Sequence, residues 1–155
     1  MRNLLYAYNE MIISNYELCF SDSFIFSSPE DSIEASNSGL EELFALWDKQ
    51  SEITVTSNIF STFSQNDTLS LFLTMSHPSG YPDIIEDTVS ILYRDYALAI
   101  IVSSSDSSDT LIAEGQAAFY LKPEQLNWWT IYFWKDIPKN SGQYDWGDFK
   151  AEYRR

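Results

Sequence analysis

An aromatic run near the C-terminus, Asn127-Trp128-Trp129-Thr130-Ile131-Tyr132-Phe133-Trp134-Lys135-Asp136, constrains this chain more than any other feature. Aromatic and β-branched side chains, uninterrupted by Gly or Pro, favour a strand over a helix. Side chains alternate along a strand, so Trp128, Thr130, Tyr132 and Trp134 share one face and Trp129, Ile131 and Phe133 the other. Both faces then carry large apolar groups. One packs on the chain's own core; the other needs a helix, a partner subunit or a ligand to cover it. A second aromatic stretch, Trp146-Gly147-Asp148-Phe149-Lys150, follows closely.

The 155 residues have the size of one domain, 1–155, with one core. An apolar content of 45% excludes a disordered chain, which lacks the apolar surface to offset ordering entropy. The formal net charge of −14 argues against nucleic acid, which needs a basic footprint, and against an anionic membrane surface. That charge instead keeps a very aromatic domain in solution. No apolar run approaches the ~20 residues of a spanning helix, so membrane insertion is not expected. The start, Met1 to Glu10, does not read as a signal peptide. The expectation is export to the periplasm or cell surface if a leader precedes Met1, and a cytoplasmic protein otherwise. The single cysteine, Cys19, lies between Leu18 and Phe20 and suits a small buried hydrophobe.

Along the chain, residues 4–19 have the spacing of an amphipathic helix, with Leu4, Leu5, Tyr8, Met11, Ile12 and Tyr16 on one side. Phe24-Ile25-Phe26 is a short extended piece and 30–37 a polar loop. Ser38-Gly39-Leu40-Glu41 has the form of a capping box opening a second helix, with Leu40, Leu43, Phe44 and Trp47 on its apolar face. Strands are then expected over 53–63, 69–76, 87–103, 111–121 and 127–136. The apolar positions of 87–103 change phase near Arg94-Asp95, which predicts a β-bulge. The Ser/Asp-rich stretch 103–109 reads as a hairpin connection. The fold class is α+β, with N-terminal helices packed on a strongly bent antiparallel sheet. Its core is expected to include Tyr8, Ile12, Phe24, Phe44, Trp47, Leu71, Leu98, Phe119 and Trp134.

These features, in order, give the chain a resemblance to the nuclear transport factor 2-like superfamily, the cone fold of ketosteroid isomerase and the polyketide cyclases. The matching residues are Tyr16 to Phe26, then Trp47, Tyr93 and Tyr96-Ala97-Leu98. Gly115, Ala118-Phe119 and Leu121 follow, and then Trp129, Ile131, Trp134, Asp136, Trp146-Gly147 and Lys150. It is most similar to exported bacterial members of unknown function, often described as lipoproteins, although the chain shows no leader or lipid-attachment cysteine at its start. The resemblance implies a pocket between the helices and the concave face of the sheet. Relatives use that pocket as an isomerase, cyclase or dehydratase site, as a ligand pocket or for protein contacts.

Enzymes of this kind place a carboxylate, often beside a His or Tyr, in an apolar pocket that tunes its pKa. Candidates here are Asp22, Asp95 and Asp136, with Tyr93, Tyr96, Tyr132 and the lone His77. His77 precedes a proline in a loop with no metal-ligand spacing or nucleophile motif beside it. Asp136 closes the last strand, where a hydrogen bond to nearby backbone is the simpler role. No catalytic residue, cofactor or metal ligand is assigned. Tyr8, Trp47, Tyr93 and Trp134 are the candidates for lining a ligand pocket, against the commoner role of core packing for each.

The expected function is therefore a non-catalytic domain binding a small apolar or aromatic ligand or a protein partner. The alternative is a small cofactor-free enzyme with a buried Asp or His as general acid or base. Uncovered aromatics on the outer face of the sheet predict a two-fold homodimer through that face. The rival is the segment 143–153 folding back over them within one chain.

Overall fold

The computed structural model describes residues 1–124 and 128–154. Asn127, the expected first residue of the aromatic strand, lies outside the described residues. The elements are α1 (Arg2–Asn9), α2 (Ile13–Glu17), β1 (Phe20–Ser27), α3 (Pro29–Asn37), a 3-10 turn (Glu41–Leu43), α4 (Lys49–Ser64), β2 (Leu69–Ser76), β3 (Ile84–Ile85), β4 (Ser90–Ser103), β5 (Ser108–Pro123), β6 (Trp129–Pro138) and α5 (Trp146–Glu152). The six strands form one open sheet in the order β1-β6-β5-β4-β2, with β3 also paired to β4. The α+β class with helices on the concave side of a curved sheet is as expected. One neighbouring pair departs from the antiparallel expectation: β1 runs parallel to β6.

The helices differ most from the sequence reading. The first expected helix is two short ones, because Met11 takes a positive φ of 53° between them, a conformation that ends a helix. The expected polar loop at 30–37 is α3, opened by Pro29 at a position where its missing N–H costs nothing. The expected second helix shrinks to the 3-10 turn, and Trp47 lies beyond it. The stretch 53–63, expected as a strand, belongs to the 16-residue helix α4. Its β-branched content misleads. Asp48 caps it by accepting the Ser51 N–H at 2.9 Å, and its buried residues Glu52, Val55, Thr56, Ile59, Phe60 and Phe63 recur at helical spacing.

In the sheet, β4 pairs with β5 in one unbroken register from Ser90 to Ser103, so the bulge expected near Arg94 is absent. The outward apolar residues that suggested it have local partners: Ile91 pairs with Ile84 of β3, and the Tyr93 ring lies 5.8 Å from that of Tyr81. The irregularity sits elsewhere. Tyr120 pairs with Phe133 but Leu121 with Ile131, leaving Tyr132 as the extra residue. That bulge lets Ile131 and Trp134 both face the core, where strict alternation would put them on opposite faces.

Tyr8, Phe24, Trp47, Leu71, Leu98, Phe119 and Trp134 are buried as expected, whereas Ile12 and Phe44 are half-buried. The segment 143–153 does fold back, but onto the inner face. Trp146 meets the rings of Tyr8, Tyr96 and Trp134, and Phe149 meets Phe63.

Candidate functional site

Three of the four residues expected to line a pocket converge inside the curved sheet. Tyr8 comes from α1, Trp134 from β6, and Trp47 from the chain entering α4, where its carbonyl accepts the Phe26 N–H at 2.9 Å. All three are buried, and the space among them is taken by other rings. Trp146 lies 5.1 Å from Tyr8 and 4.5 Å from Trp134; Phe26 lies 5.1 Å from Trp47 and 5.3 Å from Trp134. Tyr93 does not join them. It is half-buried on the outer face, its N–H donated to Asp83 Oδ1 at 3.0 Å.

At the centre of these rings lies an ion pair with no exposed surface. Lys150 Nζ, from α5, is 2.9 Å from Oε1 and 3.1 Å from Oε2 of Glu52 on α4. Tyr16 Oη donates to Glu52 Oε1 at 2.6 Å and Trp47 Nε1 to Oε2 at 2.9 Å. The ammonium lies 3.5 Å from the centre of the Trp134 ring and 4.0 Å from that of Phe26. Charged hydrogen bonds and ring faces together replace the water that each ion has lost. Burial lowers the Lys150 pKa, and the Glu52 charge opposes that shift.

Asp136 is buried one layer away. Its Oδ2 accepts the Gly147 N–H at 2.9 Å, the backbone bond expected for it, while Oδ1 meets no donor among the described residues. Burial pushes its carboxyl up to about 7 against the pull of Lys150, with the Tyr96 hydroxyl also favouring the charged form. A buried acid beside a tyrosine is half of what proton-transfer chemistry requires. The other half is room for a substrate, and on the inner side α5 packs against the tyrosine, with Trp146 N–H donated to Tyr96 Oη at 3.0 Å. Of the remaining candidates, His77 is a half-exposed partner of Asp83 at 3.6 Å, Asp22 pairs with Lys49 on the surface, and Asp95 is exposed.

No family model and no curated protein matches the chain. Solved structures do match. A nuclear transport factor 2-like superfamily protein from Salmonella enterica serovar Typhimurium LT2 superposes with a TM-score of 0.56 at 15% identity, over 91% of this chain and 87% of that one. The chain has the nuclear transport factor 2-like fold. Bd1075 of Bdellovibrio bacteriovorus matches with a TM-score of 0.60 at 12% identity; the match covers 90% of this chain but only 38% of that longer one. A scytalone dehydratase-like protein of Novosphingobium aromaticivorans matches with a TM-score of 0.59 at 11% identity, over 93% and 82%. Identities this low carry the fold and nothing about activity.

The nuclear transport factor 2-like cone also assembles groups that sequence reasoning missed. Asp31, Asp145 and Asp148 lie together at the start of α5, although no metal ligand was expected. Burial pushes Asp31 up to about 8, with the Asp145 charge adding to it; burial and the Asp136 charge push Asp145 up to about 7. On the outside, three adjoining shallow depressions share Leu18 and Trp128. The most apolar, about 240 Å³, is lined by Met1, Leu4, Cys19, Leu121, Trp129 and Ile131 as well. Trp129 therefore serves this end of the cone, not the outer face. The Trp128 indole N–H donates to the Leu18 carbonyl at 3.3 Å, which holds the two as one ridge.

Proposed function

We propose that the protein is a non-catalytic binding domain that acts through its surface, as a homodimer joined at the outer face of the sheet. The observation that carries this reading is the filled interior. Where a ligand or substrate would need space there are three tryptophans, two tyrosines and the Glu52–Lys150 pair. Small-molecule sites are concave and bury most of their ligand. The Leu18–Trp128 ridge stands between depressions and suits a partner protein's surface instead.

The outer face supports the dimer. Phe72, Ala99 and Ile112 form an apolar row across β2, β4 and β5, with Phe72 54% and Ile112 47% exposed. Tyr120, Phe133 and Ile25 extend apolar surface across β5, β6 and β1, and the helices all pack on the other side. Exposed apolar surface of this kind marks an association face, and the matching copy of itself is the partner always present.

Native mass spectrometry of the purified protein tests both parts. The expected species is twice the 17.9 kDa chain, without a small-molecule adduct. Ile112→Asp should give a folded monomer. A wild-type monomer at tens of micromolar overturns the dimer, and a retained apolar ligand overturns the filled interior.

A further inference from the structure

The acidic group at the start of α5 has no part in the binding surfaces above. Asp145 caps α5 and Asp148 lies in its first turn, each accepting the other's backbone N–H. Asp31, from the first turn of α3, packs directly over Gly147, where a Cβ would collide with its Oδ2 and come within 2.9 Å of Ser28 Oγ. Glycine is therefore what lets the third carboxylate in. One carboxylate oxygen from each of the three lies within 4.8 Å of the other two. Oxygens bound 2.3–2.6 Å from a common calcium ion lie at most about 5 Å apart, so this spacing allows all three to share one ion. Without a counter-charge, three carboxylates so close repel one another.

A second observation points the same way. Asp145 has no exposed surface; its Oδ1 accepts the Asp148 N–H, and its Oδ2 meets no donor among the described residues. A buried carboxylate oxygen without a partner is costly, and this one belongs to a member of the group. Two of the three carboxylates also open outward. Asp31 and Asp148 line a cleft of about 280 Å³ together with Glu34, Tyr144 and Glu152, and no Lys or Arg is part of that lining. Such a cleft gives an ion an entry path and room for the waters that complete its coordination.

We propose that Asp31, Asp145 and Asp148 bind a divalent cation through an all-oxygen shell, tying the start of α3 to the start of α5. The ligand set has no His or Cys and so selects a hard ion. Calcium fits better than magnesium, because three protein carboxylates displace more water than magnesium readily gives up. The competing neutraliser is a proton shared between the Asp31 and Asp145 carboxyls, which face each other.

Thermal unfolding and isothermal titration decide between them. Protein stripped with chelator is titrated with calcium, magnesium and manganese, alongside Asp31→Asn, Asp148→Asn and the surface control Asp106→Asn in the β4–β5 hairpin. Calcium at millimolar concentration should raise the Tm by about 5 °C or more and saturate at one ion per chain. Asp31→Asn should keep or exceed the stripped Tm, since it removes a buried charge, yet bind calcium at least ~10-fold more weakly. Asp148→Asn, at a half-exposed position, should weaken binding in the same way and serves if Asp31→Asn does not fold. No response to any of the three ions overturns the site and leaves the proton as the neutraliser. A response that both variants retain in full overturns it as mere screening of surface charge.

Discussion

Lys150 is the residue on which the interior depends most. Its ammonium is buried with every neighbour chosen for it: two carboxylate oxygens of Glu52 and the faces of Trp134 and Phe26. Removing one partner of such a pair strands the other ion in a dry site, which costs more than removing both. Tyr16 and Trp47 would still donate to Glu52, so the loss is not complete. Lys150→Met should lower the unfolding free energy by about 3 kcal/mol, read from urea denaturation followed by tryptophan fluorescence. Adding Glu52→Gln should restore at least half of that. An equal loss in the single and double variants would mean that the pairing itself is irrelevant. Neither residue announced this role in the sequence. A lone Glu after Gln50-Ser51 and a lone Lys after Asp148-Phe149 look like solvated charge, and only the tertiary fold withdraws them from water.

At the scale of elements, legibility followed period. Leu69, Leu71 and Leu73 alternate with polar residues, and β2 was readable from that alone; so were the Ser/Asp hairpin between β4 and β5 and the aromatic strand β6. In α4 the β-branched residues Ile53, Thr54, Val55 and Thr56 carried a strand propensity that a capped helix with a well-placed apolar stripe overrode. Tyr8, Trp47 and Trp134 were recognisable as large aromatics that meet, whereas Tyr93 was misplaced because its strand was given a bulge that β6 has instead. The acidic group was beyond reach, since Asp31 and Asp145 come from opposite ends of the chain. Gly115 shows how tightly these elements approach. A Cβ there would lie 2.8 Å from the Ile137 carbonyl oxygen and 2.7 Å from Tyr96 Cζ, and the backbone atom cannot step aside. Gly115→Ala should cost about 2 kcal/mol, within the range of overpacked core sites, and should break the Tyr96–Trp146 hydrogen bond. A Tm equal to that of the wild type would show that β5 and β6 can part more easily than the structure implies.

For the molecule as a whole, buried acids set an unusual response to pH. Asp136 is held near 7 in the folded protein against an ordinary 3.8, because burial penalises its charge more than Lys150, Tyr96 and Gly147 favour it. A group whose folded pKa is raised contributes its full stability below the unfolded value and loses it as pH climbs through the folded value. The loss therefore falls between about pH 4 and pH 8. A carboxyl displaced from 3.8 to about 7 costs on the order of 4 kcal/mol once it ionises. Burial raises Asp31 and Asp145 in the same direction. In chelator, the Tm should thus fall steadily from pH 5 to pH 8, opposite to a protein whose carboxylates are stabilised by salt bridges. The overall charge of −14 contributes a repulsion that also grows with pH, so the wild-type slope is not diagnostic by itself. Asp136→Asn separates the two. It keeps an acceptor for the Gly147 N–H and changes the net charge by one, yet it should flatten a clear part of the slope and raise the Tm at pH 8. A variant whose Tm runs parallel to the wild type across this range would show that Asp136 stays ionised throughout, and that α5 closes over a charge instead of an acid.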